Sequence, residues 1–200
     1  MDITTWVLQA VGLFLATNID DIIVLSLFYA RGAGRRGTTA AILAGQYLGF
    51  GAILAAAVLV ALGARTFLPE GVIPYFGLIP LVLGLLAAWR AWRHDDDDDD
   101  EGKVSGKSVS ALTVAAVTFA NGGDNIGVYV PVFATVGPAG VVAYCVVFLA
   151  LVAVLVVAAR FVATRKTVAE FLERWEHVLF PLVLIGLGIV ILVEGGAFGL

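Results

Sequence analysis

The chain has 200 residues, 60% hydrophobic and 14% charged, with a mean hydropathy of +0.99 and a formal net charge of −4. Soluble globular chains carry roughly 25% charged and 45–50% apolar residues, so a soluble enzyme, a nucleic-acid binder and a disordered tail are excluded. The single cysteine, Cys145, leaves no internal disulfide and no Cys-rich metal cage. What remains is a small polytopic membrane protein.

A hydrocarbon core about 30 Å thick takes about 20 apolar residues of helix to cross. Six stretches reach that length, near residues 3–30, 38–64, 72–89, 109–136, 139–162 and 177–198. The first is too long for a signal-peptide core and no positive charge precedes it, so it is read as a helix. Just before the sixth, residues 167–176 set Phe171, Leu172 and Trp175 against Glu170, Glu173 and Arg174. That is the pattern of a short interfacial amphipathic helix.

Orientation follows from the basic residues, which favour the cytoplasmic face. Arg31, Arg35 and Arg36 follow the first stretch, and Arg90, Arg93, Lys103 and Lys107 follow the third. Arg160, Arg165, Lys166 and Arg174 gather around the end of the fifth. Of the 12 Lys and Arg, only Arg65 falls on the other side. Both termini are therefore expected outside.

The two halves of the chain echo each other. Ala16-Thr17-Asn18-Ile19-Asp20-Asp21-Ile22-Ile23-Val24 aligns with Ala120-Asn121-Gly122-Gly123-Asp124-Asn125-Ile126-Gly127-Val128 when Asp20 is set on Asp124. Pro80-Leu81-Val82-Leu83 in the third stretch recurs as Pro181-Leu182-Val183-Leu184 in the sixth. A unit of three crossings must insert its second copy upside down, so an inverted three-plus-three repeat is expected. The chain then divides into a first unit at 1–93, a linker at 94–108 and a second unit at 109–200.

Asp20, Asp21 and Asp124 lie near the middle of their stretches. An Asp at a membrane helix centre costs about 2.5–3.5 kcal/mol, so three unpaired ones would cost on the order of 8–10 kcal/mol. No Lys or Arg occupies the interior of any stretch; Arg31 stands ten residues beyond Asp21, about 15 Å along a helix. The missing positive charge must be a proton, a metal ion or an organic cation. Asn18 and Asp21 lie three apart, as do Asn121 and Asp124, and Asn121 stands four before Asn125, so each set shares a helix face. Carboxylate and amide oxygens suit divalent cations. Gly122-Gly123 weakens the fourth stretch just before Asp124, where local unwinding would free backbone carbonyls for an ion.

Other polar groups read as packing. Thr17 and Thr118 are as well explained by hydrogen bonds between helices as by a pathway. Gln46, Tyr47, Tyr144 and Cys145 are expected to be packed, and Gly45 with Gly49 forms a small-xxx-small pair for close helix contact. His94, Asp95 to Asp100 and Glu101 form an acidic run that reads as a solvated linker rather than a metal-collecting loop.

The Thr17-Asn18-Ile19-Asp20-Asp21 segment and the Ala120-Asn121-Gly122-Gly123-Asp124-Asn125-Ile126-Gly127-Val128-Tyr129 segment resemble the cadmium resistance transporter family, within the lysine-exporter superfamily. The likeness extends over nearly the whole chain in length, span number and motif placement. It implies an exporter that lowers cytoplasmic cadmium, with Asn18, Asp20, Asp21, Asn121, Asp124 and Asn125 as pathway residues. Cadmium is soft and prefers thiolate, whereas this chain offers only Cys145 and Met1 as sulfur donors. Zinc, manganese and calcium therefore stay open as substrates.

The sequence thus predicts an all-α membrane protein with six transmembrane helices in the plasma membrane. It reads as a secondary transporter exporting a divalent metal cation between the first and fourth helices. No Walker motif is present, and proton antiport is the natural coupling. No cofactor is expected beyond the transported cation. The partners expected are the lipid bilayer, divalent metal ions and protons, with no nucleic acid, and a homodimer is compatible with the reading. Two other readings stay open: an exporter of cationic amino acids or amines, and a non-transporting structural or regulatory membrane subunit.

Overall fold

Asn18 interrupts the first hydrophobic stretch. Helix α1 (Ile3–Thr17) and helix α2 (Ile19–Arg31) meet there at a bend of 56°. Asn18 itself has non-helical torsions, φ −133° and ψ 18°. Its side chain donates back to the Phe14 carbonyl oxygen at 2.8 Å, the local bonding by which Asn competes with helix continuation. The break changes the electrostatics of the acids that follow. Asp20 and Asp21 stand in the first turn of α2, where the positive end of the helix dipole favours carboxylates.

The computed structural model describes residues 3–93, 109–165, 178, 181–193 and 195–197, and every regular element among them is helical. Gly34 and Gly37 turn the chain after α2 with φ of 76° and 86°, a region open to glycine at little cost. Helix α3 (Thr38–Phe67) follows. A 3-10 segment, Glu70–Gly77, leads into α4 (Leu78–Arg93). Ser110 caps α5 (Ala111–Asn121), its hydroxyl accepting from the Thr113 backbone N–H at 3.1 Å. Gly122 alone separates α5 from α6 (Gly123–Thr135), so the weak point expected at Gly122-Gly123 is a one-residue break. It places Asp124 in the first turn of α6, as the break at Asn18 does for Asp20 and Asp21. Helix α7 (Pro138–Val162) starts with proline in its first turn, where no intrahelical N–H is lost. Helix α8 (Pro181–Val193) ends the fold.

Among the described residues, three helices are long and apolar enough to cross a membrane: Thr38–Phe67, Gly71–Trp89 and Pro138–Val162. The bent α1–α2 pair is a fourth if counted as one span. The other two predicted stretches depart from a single long helix. Residues 109–136 form helices of 11 and 13 residues, because paired glycines followed by Asp and Asn favour a new helix start over continuation. Residues 177–198 yield the shorter apolar helix Pro181–Val193 among the described residues. The amphipathic segment at 167–176 and the acidic run at 95–100 lie outside the described residues. Leu8, Leu48, Leu59, Leu62, Val146 and Val157 all face outward, apolar surface that water would not tolerate and lipid would.

Glycines set how closely the helices approach. Helix α3 runs alongside α5 in the same direction, Gly45 meeting Ala111 and Val114, and Gly49 meeting Ala115 and Thr118. A Cβ on Gly49 would stand 2.7 Å from the Ala115 carbonyl oxygen, so the small-xxx-small pair is a real backbone contact. Helix α1 runs parallel to α7, with Gln9 beside Tyr144 and Phe14 beside Phe148. Gly77, Gly84 and Gly188 let the Glu70–Gly77 segment and α4 pack antiparallel against α8. Between α1, α3, α6 and α7 sits an aromatic core of Phe14, Phe50, Tyr129, Phe133, Tyr144 and Phe148. Its ring centroids lie 4.9–6.3 Å apart, mostly edge to face or tilted.

Candidate functional site

The two helix breaks face each other. Asn121, the last residue of α5, donates from Nδ2 to Asp20 Oδ2 at 2.6 Å and to Asp21 Oδ1 at 3.0 Å. The other Asp21 oxygen accepts from Gln46 Nε2 on α3 at 3.1 Å. Asp21 is 4% exposed and Gln46 fully buried, while Asp20 is partly exposed. Among the described residues, the side-chain donors reaching this carboxylate pair are thus neutral amides, and two formal negative charges lie side by side without a cationic side chain among those donors.

Gln46 uses both ends of its amide. Its Oε1 accepts from Thr118 Oγ1 at 2.6 Å, which fixes Nε2 toward Asp21. Thr118 and Asn121 lie three apart on α5, one turn carrying both contacts.

A second polar network lies at the α1–α2 break. Asn18 Nδ2 reaches Thr17 Oγ1 at 2.9 Å and Tyr129 Oη at 3.2 Å, while Thr17 and Tyr129 share a hydrogen bond of 2.8 Å. Because Nδ2 must donate to the Phe14 carbonyl, the amide orientation is fixed by chemistry. That leaves Asn18 Oδ1 buried without a hydrogen-bond partner among the described residues, and Asn125 Oδ1 is in the same position. Buried amide oxygens rarely remain unsatisfied. Asn125 lies one turn before Tyr129 on α6, and helical side chains lean toward the preceding turn. Asn18 Oδ1 therefore borders the contact between Tyr129 and the α1–α2 break, and Asn125 Oδ1 lies one turn away on α6.

Of the six residues singled out from sequence, Asp20, Asp21 and Asn121 come directly together. Asn18 stands at the break beside them, turned toward Tyr129. Asp124 and Asn125 begin α6; Asp124 is exposed, and its Oδ1 accepts from the Asn125 backbone N–H at 2.9 Å. Among the described residues no three His, Cys, Asp or Glu side chains gather as a ready-made metal cluster. Any cation held here would rely on two carboxylates supplemented by amide, hydroxyl or backbone oxygens.

Three residues gain weight that their sequence context did not give them. Gln46 and Thr118 bridge Asp21 to α5, and Tyr129 ties α6 to the α1–α2 break. A signal existed for Gln46: it is one of two glutamines in the chain and sits between the contact glycines Gly45 and Gly49. Tyr47 and Tyr144 do act in packing, Tyr47 donating to the Leu149 carbonyl at 2.9 Å and Tyr144 to Gln9 Oε1 at 2.9 Å. Cys145 is half-buried on α7. A cavity of about 280 Å³ opens at the far end of the aromatic core, lined by Trp6, Gln9, Thr135, Tyr144 and Ile191 among others.

No curated protein and no solved structure matches the chain. The sequence profile described as cadmium resistance transporter matches residues 14–200, from within α1 to the last residue. That span contains both helix breaks and every acid of the site, and the chain belongs to the cadmium resistance transporter family.

Proposed function

We propose that this protein is a secondary transporter that exports a divalent metal cation, cadmium by its family, through a site centred on Asp20 and Asp21. The observation that carries the reading is the carboxylate pair at a helix break, whose side-chain donors among the described residues are neutral amides. Two adjacent carboxylates match the charge of one divalent ion, whereas a lysine-like substrate would leave one negative charge uncompensated in a low-dielectric setting. Asn121, Asn18 and Asn125 supply amide oxygens, and Asp124 attracts the cation at the start of α6. Oxygen donors of this kind also accept zinc, manganese or calcium.

The proposed frame is six crossings in the plasma membrane, arranged as an inverted repeat with both termini outside. Three observations support it. The breaks at Asn18 and Gly122 fall at aligned positions when Asp20 is set on Asp124. Helix α3 of the first half runs parallel to α5 of the second, and α7 of the second runs parallel to α1 of the first. These two pairings are exchanged by swapping the halves, while α4 and α8 pair antiparallel with each other. Alternating crossings demand the same directions. Protonation of the carboxylates from the outer side would expel the cation, and release of those protons inside would restore the site.

The test is cation uptake into inverted membrane vesicles or proteoliposomes under an imposed pH gradient. Cadmium-dependent uptake, unaffected by excess lysine or arginine, supports the proposal. Competition by those amino acids would move the assignment to an amine exporter. Absence of any cation movement would leave a non-transporting membrane subunit.

A further inference from the structure

The carboxylates that await a cation are already engaged by N–H groups. Asn121 donates to both acids and Gln46 donates to Asp21. A carboxylate has about four lone-pair sites, so a cation can approach those left free, but the amide N–H groups compete with it for the same negative charge. Asn121 terminates a helix beside a glycine break, whereas Gln46 is fully buried two turns into α3. Gln46 cannot withdraw into solvent.

We infer that Gln46 is a cation-responsive amide: it donates to Asp21 in the cation-free protein and turns its side-chain carbonyl toward the cation when one binds. The inference rests on the transport reading above. Rotation of the terminal amide by about 180° exchanges Nε2 and Oε1 with little change of shape, since the two are nearly isosteric. Thr118 permits both states. Its hydroxyl donates to Gln46 Oε1 at 2.6 Å now, and the same oxygen can accept from Nε2 after the turn. The buried amide stays satisfied on both sides, which is the condition for two stable states in a low-dielectric interior. The turn converts a competitor for the carboxylates into a neutral oxygen ligand of the kind divalent cations accept. Because Thr118 belongs to α5 and Asp21 to α2, the same rotation reports site occupancy to the α3–α5 contact.

The chain contains only two glutamines, Gln9 and Gln46, so ¹⁵N-glutamine labelling gives two side-chain amide pairs in an NMR spectrum. The full-length protein in lipid nanodiscs is titrated with cadmium chloride, and binding is measured in parallel by calorimetry. The Gln46 pair is assigned by its disappearance in Gln46→Met, or by elimination in Gln9→Met should the first variant fail to fold. The expected result is a Gln46 shift that saturates with the calorimetric Kd while the Gln9 pair stays fixed. Gln46→Glu, which can only accept, is expected to bind cadmium about tenfold more tightly and to turn over more slowly. Cadmium binding with an unmoved Gln46 pair overturns the inference and leaves the transport reading intact. No binding by the parent protein overturns both.

Discussion

Asn121 places its amide nitrogen 2.6 Å from the Asp20 carboxylate across 101 residues of sequence. The contact joins the end of one half-helix to the start of another, each beside its own break. Neither break is a defect to be tolerated. Each gives an acid a helix start to stand on, and each exposes polar groups that a continuous helix would have consumed.

Removing charge at the centre should abolish transport without abolishing the fold. Asp21→Asn and Asp20→Asn are expected to insert normally and to lose cadmium uptake in inverted vesicles. Asp124→Asn, at the exposed start of α6, is expected to slow uptake while retaining most of the affinity. Parent-level transport by both Asp20→Asn and Asp21→Asn would remove the site proposed here.

Cation binding should stabilise the protein. A ligand at 100 times its Kd contributes about 2.7 kcal/mol when it binds only the folded state. Thermal unfolding in detergent should therefore show a rise in Tm with cadmium for the parent and none for Asp21→Asn. An equal rise in both would place binding elsewhere.

Thr118→Val strips Gln46 Oε1 of its donor while keeping the side-chain shape. A buried acceptor left unpaired costs about 1–3 kcal/mol, and unfolding should register a loss of that size. Tyr129→Phe removes the hydroxyl shared by Thr17 and Asn18 and is expected to cost about 1 kcal/mol. An unchanged midpoint for Thr118→Val would mean that the Gln46 bridge is not formed in the membrane.

Glycine positions should divide sharply. Gly49→Val drives a side chain into the Ala115 carbonyl and Thr118, and should separate α3 from α5 with loss of folded yield. Gly51→Ala and Gly63→Ala, on the same helix with nothing within 4 Å of a Cβ, should express like the parent. Size-exclusion profiles of the purified variants give the comparison.

Much of this fold is legible in the sequence because apolar length is a strong signal. The hydrophobic stretches are helical among the described residues, three or four of them as candidate crossings, and Gly45 with Gly49 marked a true close contact. The weak helix at Gly122-Gly123 could be read from glycine's poor propensity. The break at Asn18 could not, because Ala-Thr-Asn-Ile within an apolar run carries no glycine or proline. It depends on Asn18 finding the Phe14 carbonyl and on Thr17 and Tyr129 across the helix contact. Gln46 was similarly hidden: a lone amide in an apolar helix has no partner until the fold brings Asp21 and Thr118 to it. The acids were visible individually, but only the geometry shows that Asp20 and Asp21 share the Asn121 amide.

The exchange of helix partners between the halves has a consequence for assembly. The broken helix of the first half leans on α7, and that of the second half leans on α3. Each half therefore lacks the long helix that supports its own bend. Synthesised alone, neither would own a complete interior, and cut at the linker the two pieces should regain activity only when made together.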